Sequence, residues 1–228
     1  MRTLVHPGPL AVGLLRIEGD EAHHGRSVLR LEVGDRLRLA DGAGQAAEGV
    51  ITAVGRHHLD IQAEAPVTVE DGPARLITVA LAPPKGDRLA DTVRGLTELG
   101  VGTIQLLKTE RGERLPSSLD RLERIAAEAL KQCRRGCLPH LAPPIPVADL
   151  ALRGGTTILL DPAGAPAHPG PPAPVTLVIG PEGGLTDEEI ATLTTAGAGR
   201  IRLARPILRI ETAALAAAAV WTSAWELP

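Results

Sequence analysis

The stretch VTLVIGPEGGLTDEEI, from Val175 to Ile190, decides the class of fold. Its first five residues form an apolar, β-branched run, which is typical of a strand buried on both faces. The glycine-rich turn Gly180 to Gly184 follows, and the residues after Thr186 predict a helix. A buried strand that leads through a tight turn into a helix is typical of a parallel sheet in an α/β domain.

The same alternation extends on both sides of this stretch. Further strands are predicted at 75–82, 103–107, 156–160 and 200–204, with helices at 87–100, from about 117, at 187–196 and at 211–224. Ligands of open parallel sheets bind beyond the carboxyl ends of the strands. Residues 160–162, 179–184 and 203–213 occupy that position, so the binding site is expected among them.

The first seventy residues follow a different pattern. Strands are predicted at 35–42, 47–54 and 58–63, where apolar residues alternate with polar ones. Asp20 is a plausible cap for one short helix. Residues 65–74 contain two prolines and a glycine without periodicity, which marks a boundary. The sequence therefore predicts a barrel-like β domain over residues 1–70 and an α/β domain over residues 74–228.

Composition excludes several classes of protein. The formal net charge of the 228 residues is −3, so a nucleic-acid partner must meet a local basic surface. Two Trp, with no Phe or Tyr, argue against a base-stacking module. The N-terminus lacks an apolar signal segment, and the apolar run from Ala213 to Trp221 is too short to cross a bilayer. We therefore expect a cytoplasmic protein without membrane contact.

The turn Gly180 to Gly184 is the strongest candidate for a ligand site. Its glycines allow positive φ and expose backbone polar groups, and Glu182 places a carboxylate beside them. The spacing fits neither a dinucleotide-binding fingerprint nor a P-loop. An ordinary strand-to-helix turn would also explain these glycines, so the turn alone leaves both interpretations open.

Arg209 is unusual because it precedes a helix, where a cation is disfavoured. An arginine at that position indicates an anionic partner, either Glu211 or a ligand. The alanine-rich segment 213–219 that follows permits close helix packing, either in the core or across a dimer interface.

Five fragments in order resemble the ribosomal RNA small subunit methyltransferase E family of the SPOUT class. These are HHGRSVLRLEVGDRLRLADG (23–42), KGDRLADTVRGLTELGV (85–101), KTER (108–111), ALKQCRRGCLP (129–139), and the pair IGPEGGLTDEEI (179–190) and LRIETAALAA (208–217). The resemblance covers essentially the whole chain. It implies a PUA-like N-terminal β-barrel, a SPOUT-type parallel sheet with a deep trefoil knot, and a homodimer.

The resemblance also implies an activity. Members transfer a methyl group from S-adenosylmethionine to N3 of one uridine in 16S ribosomal RNA, and we expect the assembled small subunit to be the substrate. Carried over by position, cofactor contacts fall on Leu160, Gly180, Glu182, Gly183, Leu203 and Leu208. Arg209 is the candidate for stabilising the deprotonated uracil. Glu182 and Glu211 are both candidates for orienting Arg209 or accepting the proton.

RNA contacts are expected from three basic clusters. Arg26 and Arg30 are expected on the short helix of the first domain, Lys108 and Arg111 after the strand at 103–107, and Lys131, Arg134 and Arg135 at the end of the long helix. Cys133, Cys137 and His140 are close in sequence, but a fourth ligand is not evident, so no metal is expected.

The sequence departs from the family pattern in one place near the site. The usual Leu-Gly-x-Arg is Leu203-Ala204-Arg205-Pro206 here, so one arginine is shifted. Two other functions stay open on the sequence: methylation of another RNA such as transfer RNA, and a non-catalytic RNA-binding or ribosome-assembly factor.

Overall fold

Two six-stranded sheets form the framework of the computed structural model, which describes residues 1–153 and 155–226. The chain divides into two units: residues 1–71 with 127–138, and residues 72–126 with those from 139 onward. No pattern in the sequence predicted that residues 127–138 belong to the first unit.

The first unit is mostly β structure. Its strands are β1 (Arg2–Val5), β2 (Gly13–Glu18), β3 (Arg36–Ala40), β4 (Gln45–Val54), β5 (His58–Ala63) and β6 (Val67–Thr68). They pair in the order β1-β3-β4-β5-β2, with β6 beside β4. Leu37 and Leu39 are fully buried, as the alternation in this stretch predicted, and Leu59 and Ile61 join them in one core.

The single helix predicted after Asp20 is shorter than expected. Helix α1 spans Gly19–His23 and continues as one π-helical turn over His24–Val28. Arg30 lies beyond it with φ of 52°, a left-handed conformation that a helix does not use. The expectation that Arg26 and Arg30 share one helix was therefore wrong.

The second unit is a parallel α/β sheet with helices between its strands, which confirms the predicted class. The strands are β7 (Ile77–Leu81), β8 (Thr103–Lys108), β9 (His140–Pro146), β10 (Thr156–Pro166), β11 (Val175–Ile179) and β12 (Gly199–Arg202). They lie in the order β12-β10-β11-β7-β8-β9, and every pair is parallel. The helices are α2 (Arg88–Glu98), α3 (Asp120–Cys133), α4 (Val147–Ala151), α5 (Asp187–Thr195) and α6 (Ile210–Glu226), and the part of α3 from residue 127 onward belongs to the first unit.

Strand β9 and helix α4 were not predicted because β9 contains three prolines. Proline lacks an N–H for a sheet ladder, but an edge strand tolerates it. Strand β9 is such an edge, and Gln105 of β8 adds a side-chain hydrogen bond to it, donating from Nε2 to the Pro143 carbonyl at 2.6 Å.

Helix α6 uses most of its alanines for packing within its own unit. Ala213, Ala214, Ala217 and Ala218 are buried, which supports core packing for that face. Val220 remains partly exposed on the helix. Within the described ranges, no helix has the length and apolar character needed to cross a bilayer.

Gly164→Ala is expected to destabilise the second unit. A Cβ at Gly164 would lie 2.6 Å from the backbone of Ile201 on the neighbouring strand β12, and backbone cannot move aside as a side chain can. We expect the free energy of unfolding in urea to fall by about 1–3 kcal/mol.

Gly199→Ala is the matched control, because it lies on β12 and a methyl group added there would have no atom within 4 Å. It is expected to change stability by less than about 0.5 kcal/mol. Equal stability of the two variants would contradict the close approach of β10 and β12.

Candidate active site

A cavity of about 760 Å³ opens at the carboxyl edge of the second sheet. It is lined by residues 159–162 in the middle of β10, by the turn after β11 and by the segment after β12, together with Arg88 at the start of α2. Strands β10 and β11 are neighbours and β12 flanks β10, so the parallel arrangement brings these three segments to one place. The three stretches that the sequence predicted as ligand-binding therefore converge.

All six residues predicted to contact a cofactor line this cavity. They are Leu160, Gly180, Glu182, Gly183, Leu203 and Leu208. The leucines supply apolar surface, whereas the glycine turn supplies backbone polar groups. Arg209 also lines the cavity, with its side chain exposed.

The glycine turn is shaped by local constraints. Gly184 has φ of 71°, and its N–H donates to the Pro181 carbonyl at 2.8 Å. A Cβ at Gly180 would lie 3.0 Å from the side chain of Leu185, so glycine lets the chain fold back towards α5. These two positions fix the path of the backbone around the cavity.

A capping box anchors the far side of the turn. Thr186 Oγ1 accepts from the Glu189 N–H at 3.2 Å, and Glu189 Oε2 accepts from the Thr186 N–H at 2.9 Å. The loop after β8 adds two further bonds. Arg111 Nη1 donates to the Gly183 carbonyl at 3.2 Å, and the Glu110 N–H donates to Glu189 Oε1 at 3.0 Å.

Arg88 is the functional candidate that sequence reasoning missed. Its Nη1 lies 3.4 Å from Glu182 Oε1, and its Nε lies 3.6 Å from Glu211 Oε1. One guanidinium therefore lies between both candidate carboxylates. The sequence did contain a signal for Arg88. Arg88 is a cation in the first turn of a helix at the same edge of the sheet, and the same unfavourable placement singled out Arg209.

The two carboxylates differ in their surroundings. Glu182 lines the cavity, is half-exposed, and also lies 3.7 Å from Lys85 Nζ. Glu211 is more buried and is not among the lining residues, and its Oε2 is buried without a hydrogen-bond partner among the described atoms. Contact with a ligand in the cavity is thus open to Glu182, whereas Glu211 is placed to hold Arg88.

Lys85 connects this group to the loop after β8. Its Nζ lies 3.3 Å from Glu113 Oε1, and the hydrogen bond to Glu113, with added attraction from Glu182, raises the pKa of Lys85 above its usual value. Lys85 therefore stays cationic throughout the physiological range.

The predicted RNA-contact residues fall into accessible and inaccessible groups. Lys108, Arg111, Arg30 and Arg134 are exposed. Arg26 is partly buried, and its Nη1 donates to the carbonyls of Gly55 and Arg56.

Lys131 and Arg135 are buried instead of accessible. Lys131 is 7% exposed and lies 2.6 Å from Glu128 and 3.1 Å from Glu21. Arg135 is 9% exposed and lies 3.6 Å from Asp71. Because buried charges require partners, both cations serve the packing of the first unit in this structure, and Arg134 is the accessible member of that cluster.

Among the described residues, no three His, Cys, Asp or Glu side chains gather in a group that could hold a metal ion. Cys133 is half-buried and Cys137 is buried, and both are in the thiol form.

Comparison with known proteins identifies both parts of the chain. Residues 71–222 match the RNA methyltransferase domain model, and residues 17–64 match the RNA methyltransferase PUA domain model. Ribosomal RNA small subunit methyltransferase E of Mycobacterium bovis is 32% identical over 98% of this chain and 91% of its own length. The protein of the same name from Synechocystis is 32% identical over 93% of this chain and 74% of its own.

A solved structure shows the same architecture. Ribosomal RNA small subunit methyltransferase E of Neisseria gonorrhoeae, crystallised with bound S-adenosyl methionine, superposes with a TM-score of 0.91 at 27% identity. The alignment covers 100% of both chains.

Thr186→Ala is expected to lower the free energy of unfolding by about 1 kcal/mol, because it removes the hydroxyl that accepts from the Glu189 N–H. Urea denaturation measures this change. Thr192→Ala is the control on the same helix, since its exposed hydroxyl bonds only to the Glu188 carbonyl. An equal loss in both variants would show that the cap does not anchor the turn.

Proposed function

Because this chain belongs to the ribosomal RNA small subunit methyltransferase E family, we propose that it transfers a methyl group from S-adenosylmethionine to N3 of one uridine in 16S ribosomal RNA. The assembled small subunit is the proposed substrate. The observation that carries the proposal is the single cavity in which all six predicted cofactor residues meet. The bound S-adenosyl methionine in the Neisseria relative supports the choice of cofactor.

The residues of the cavity fit this cofactor chemically. Its volume of about 760 Å³ lies within the range of roughly 300–1,000 Å³ typical of small-molecule sites. Leu160, Leu203 and Leu208 offer apolar contact for an adenine ring. The backbone of Gly180 and Gly183 offers donors and acceptors for the polar groups of the cofactor. When bound, S-adenosylmethionine supplies an electrophilic methyl group on a sulfonium.

The chain must then make N3 of uracil nucleophilic. N3 carries a weakly acidic proton, and we assign its acceptance to Glu182, which lines the cavity. Asp161 also lines the cavity, but it is paired with Arg200 at 2.6 Å. Arg209, exposed in the same cavity, would stabilise the negative charge that develops on the base. Bond formation from N3 to the methyl carbon accompanies breakage of the carbon–sulfur bond. Alignment of the two reactants and exclusion of water complete the requirements.

Arg88 and Glu211 act indirectly in this scheme. Glu211 forms an ion pair with Nε of Arg88, and Nη1 of the same guanidinium forms an ion pair with Glu182. We therefore assign proton acceptance to Glu182 and positioning to Glu211, which separates the two roles that the sequence left open.

The remaining inferences from the resemblance are part of the same proposal. We propose domains at 1–70 and 74–228, a trefoil knot in the second of them, and a homodimer. The exposed part of α6 around Val220 is available for a partner copy. RNA contact is assigned to the cations that stay at least partly exposed, which are Arg26, Arg30, Lys108, Arg111 and Arg134. The cytoplasm is the expected location because ribosomal RNA is the substrate.

Cofactor binding is the first test. Leu203→Ala and Leu208→Ala are each expected to raise the Kd for S-adenosylmethionine by roughly fivefold to tenfold, since each removes buried apolar contact. Isothermal titration calorimetry measures the Kd. Leu152→Ala is the control, because Leu152 is 85% exposed and lies outside the cavity. Absence of binding by the unaltered protein would favour a non-catalytic RNA-binding factor.

The catalytic assignments predict a different pattern. Arg209→Gln should lower kcat by about 10²-fold while changing the Kd of the cofactor little. Glu182→Gln should lower kcat by about 10²-fold and also raise the Kd, because Glu182 is among the proposed cofactor contacts. Glu211→Gln should cost less than Glu182→Gln, because it acts through Arg88. Methylation of isolated small subunits, with mass-spectrometric identification of the modified base, measures these rates.

Two outcomes would change the assignment. A larger loss in Glu211→Gln than in Glu182→Gln would reverse the two carboxylates. Product on transfer RNA alone would remove ribosomal RNA as the substrate.

A further inference from the structure

A second cavity of about 590 Å³ lies beside the proposed cofactor cavity, in the same unit. Its walls come from the turn after β7, the first residues of α2, the loop at 113–118 and the start of α3. None of the residues assigned above to cofactor or RNA contact lines it.

The two cavities share one wall. Lys85 lines the second cavity, and its Nζ lies 3.7 Å from Oε2 of Glu182, which lines the first. Arg88 lines the first cavity, whereas its neighbours Asp87 and Leu89 line the second. The Lys85–Glu182 contact therefore separates two adjacent cavities.

Some of the cations that line the second cavity have carboxylate partners, and two of them have none among the described residues. Arg121 is paired with Asp87 at 3.1 Å, and Lys85 is paired with Glu113. Arg114 and Arg124 also line the cavity and are exposed, and neither forms an ion pair with any residue that the structure describes.

Other groups at the rim favour an anion. Ser117 and Ser118 supply hydroxyl groups, and Asp120, the remaining carboxylate, is in the first turn of α3, where helix amides offset its charge. Two unpaired arginines beside hydroxyl donors suit the oxygens of a phosphodiester.

We propose that this second cavity binds the RNA backbone next to the target uridine, with Arg114 and Arg124 contacting phosphate. The inference rests on the proposed function, since it takes RNA as the substrate of the adjacent cavity. Arg114 and Arg124 then set the register of the strand, and the base between the two sites is the one that reaches the methyl donor.

The test uses the double variant Arg114→Gln with Arg124→Gln in the full chain. Both side chains are exposed, so the thermal unfolding midpoint should not change. We expect the affinity for a small-subunit RNA fragment, measured by fluorescence anisotropy, to fall by about tenfold at moderate salt. The slope of log Kd against log salt should fall by roughly 1.5, because each phosphate contact to single-stranded RNA contributes about 0.7.

Arg75→Gln is the matched control. Arg75 is exposed just before the amino end of β7, at the opposite edge of the sheet from both cavities. It should leave the slope unchanged. The Kd for S-adenosylmethionine should stay the same in all three proteins.

A neutral methylphosphonate, placed at each linkage around the modified uridine in turn, locates the contact. At two linkages, one for each arginine, it should weaken binding by the unaltered protein but not by the double variant. If the unaltered protein methylates the RNA but the double variant keeps the same salt slope, this inference is overturned and the proposed function stands. Failure of the unaltered protein to bind RNA overturns the inference together with the proposed function.

Discussion

The parallel pairing of β10, β11 and β7 is the constraint on which the site depends. Parallel neighbours send their connecting chains out at the same edge, so residues far apart in sequence meet there. The turn after β11 must also bend sharply at that edge. Gly180 and Gly184 make the bend possible, and the Thr186 capping box holds it. Without this turn, Glu182 and the leucines would not face one cavity.

Electrostatics in the second unit are arranged around a few shared cations. Arg88 lies between Glu182 and Glu211, and Lys85 lies between Glu182 and Glu113. Each of these pairs is partly exposed, so solvent screens it and its contribution to stability is small. Their effect is mainly on orientation, because each carboxylate has a cation on a defined side.

Most of the regular structure was predictable where periodicity was strong. The strand at 77–81, the helix α2 with Leu89, Val93 and Leu96 inward, and α5 after Thr186 all formed. Strand β9 was not predictable, since its prolines contradict strand propensity and only its edge position permits them. The basic cluster at 131–135 was predicted as one accessible surface, but Glu21 and Asp71 pair with two of its members. Those partners come from the distant N-terminal segment and carry no local signal.

The sequence by itself determined the two kinds of architecture, the glycine turn and the family, because each is written in short-range pattern and in ordered motifs. The resemblance supplied all six proposed cofactor residues, and the structure brings them to one cavity. Only the tertiary structure decided which cation forms ion pairs with Glu182 and Glu211, and which basic residues stay accessible to solvent. The reason is physical: an ion pair depends on distances of a few ångströms between segments, and those distances exist only after the sheet and its helices have packed.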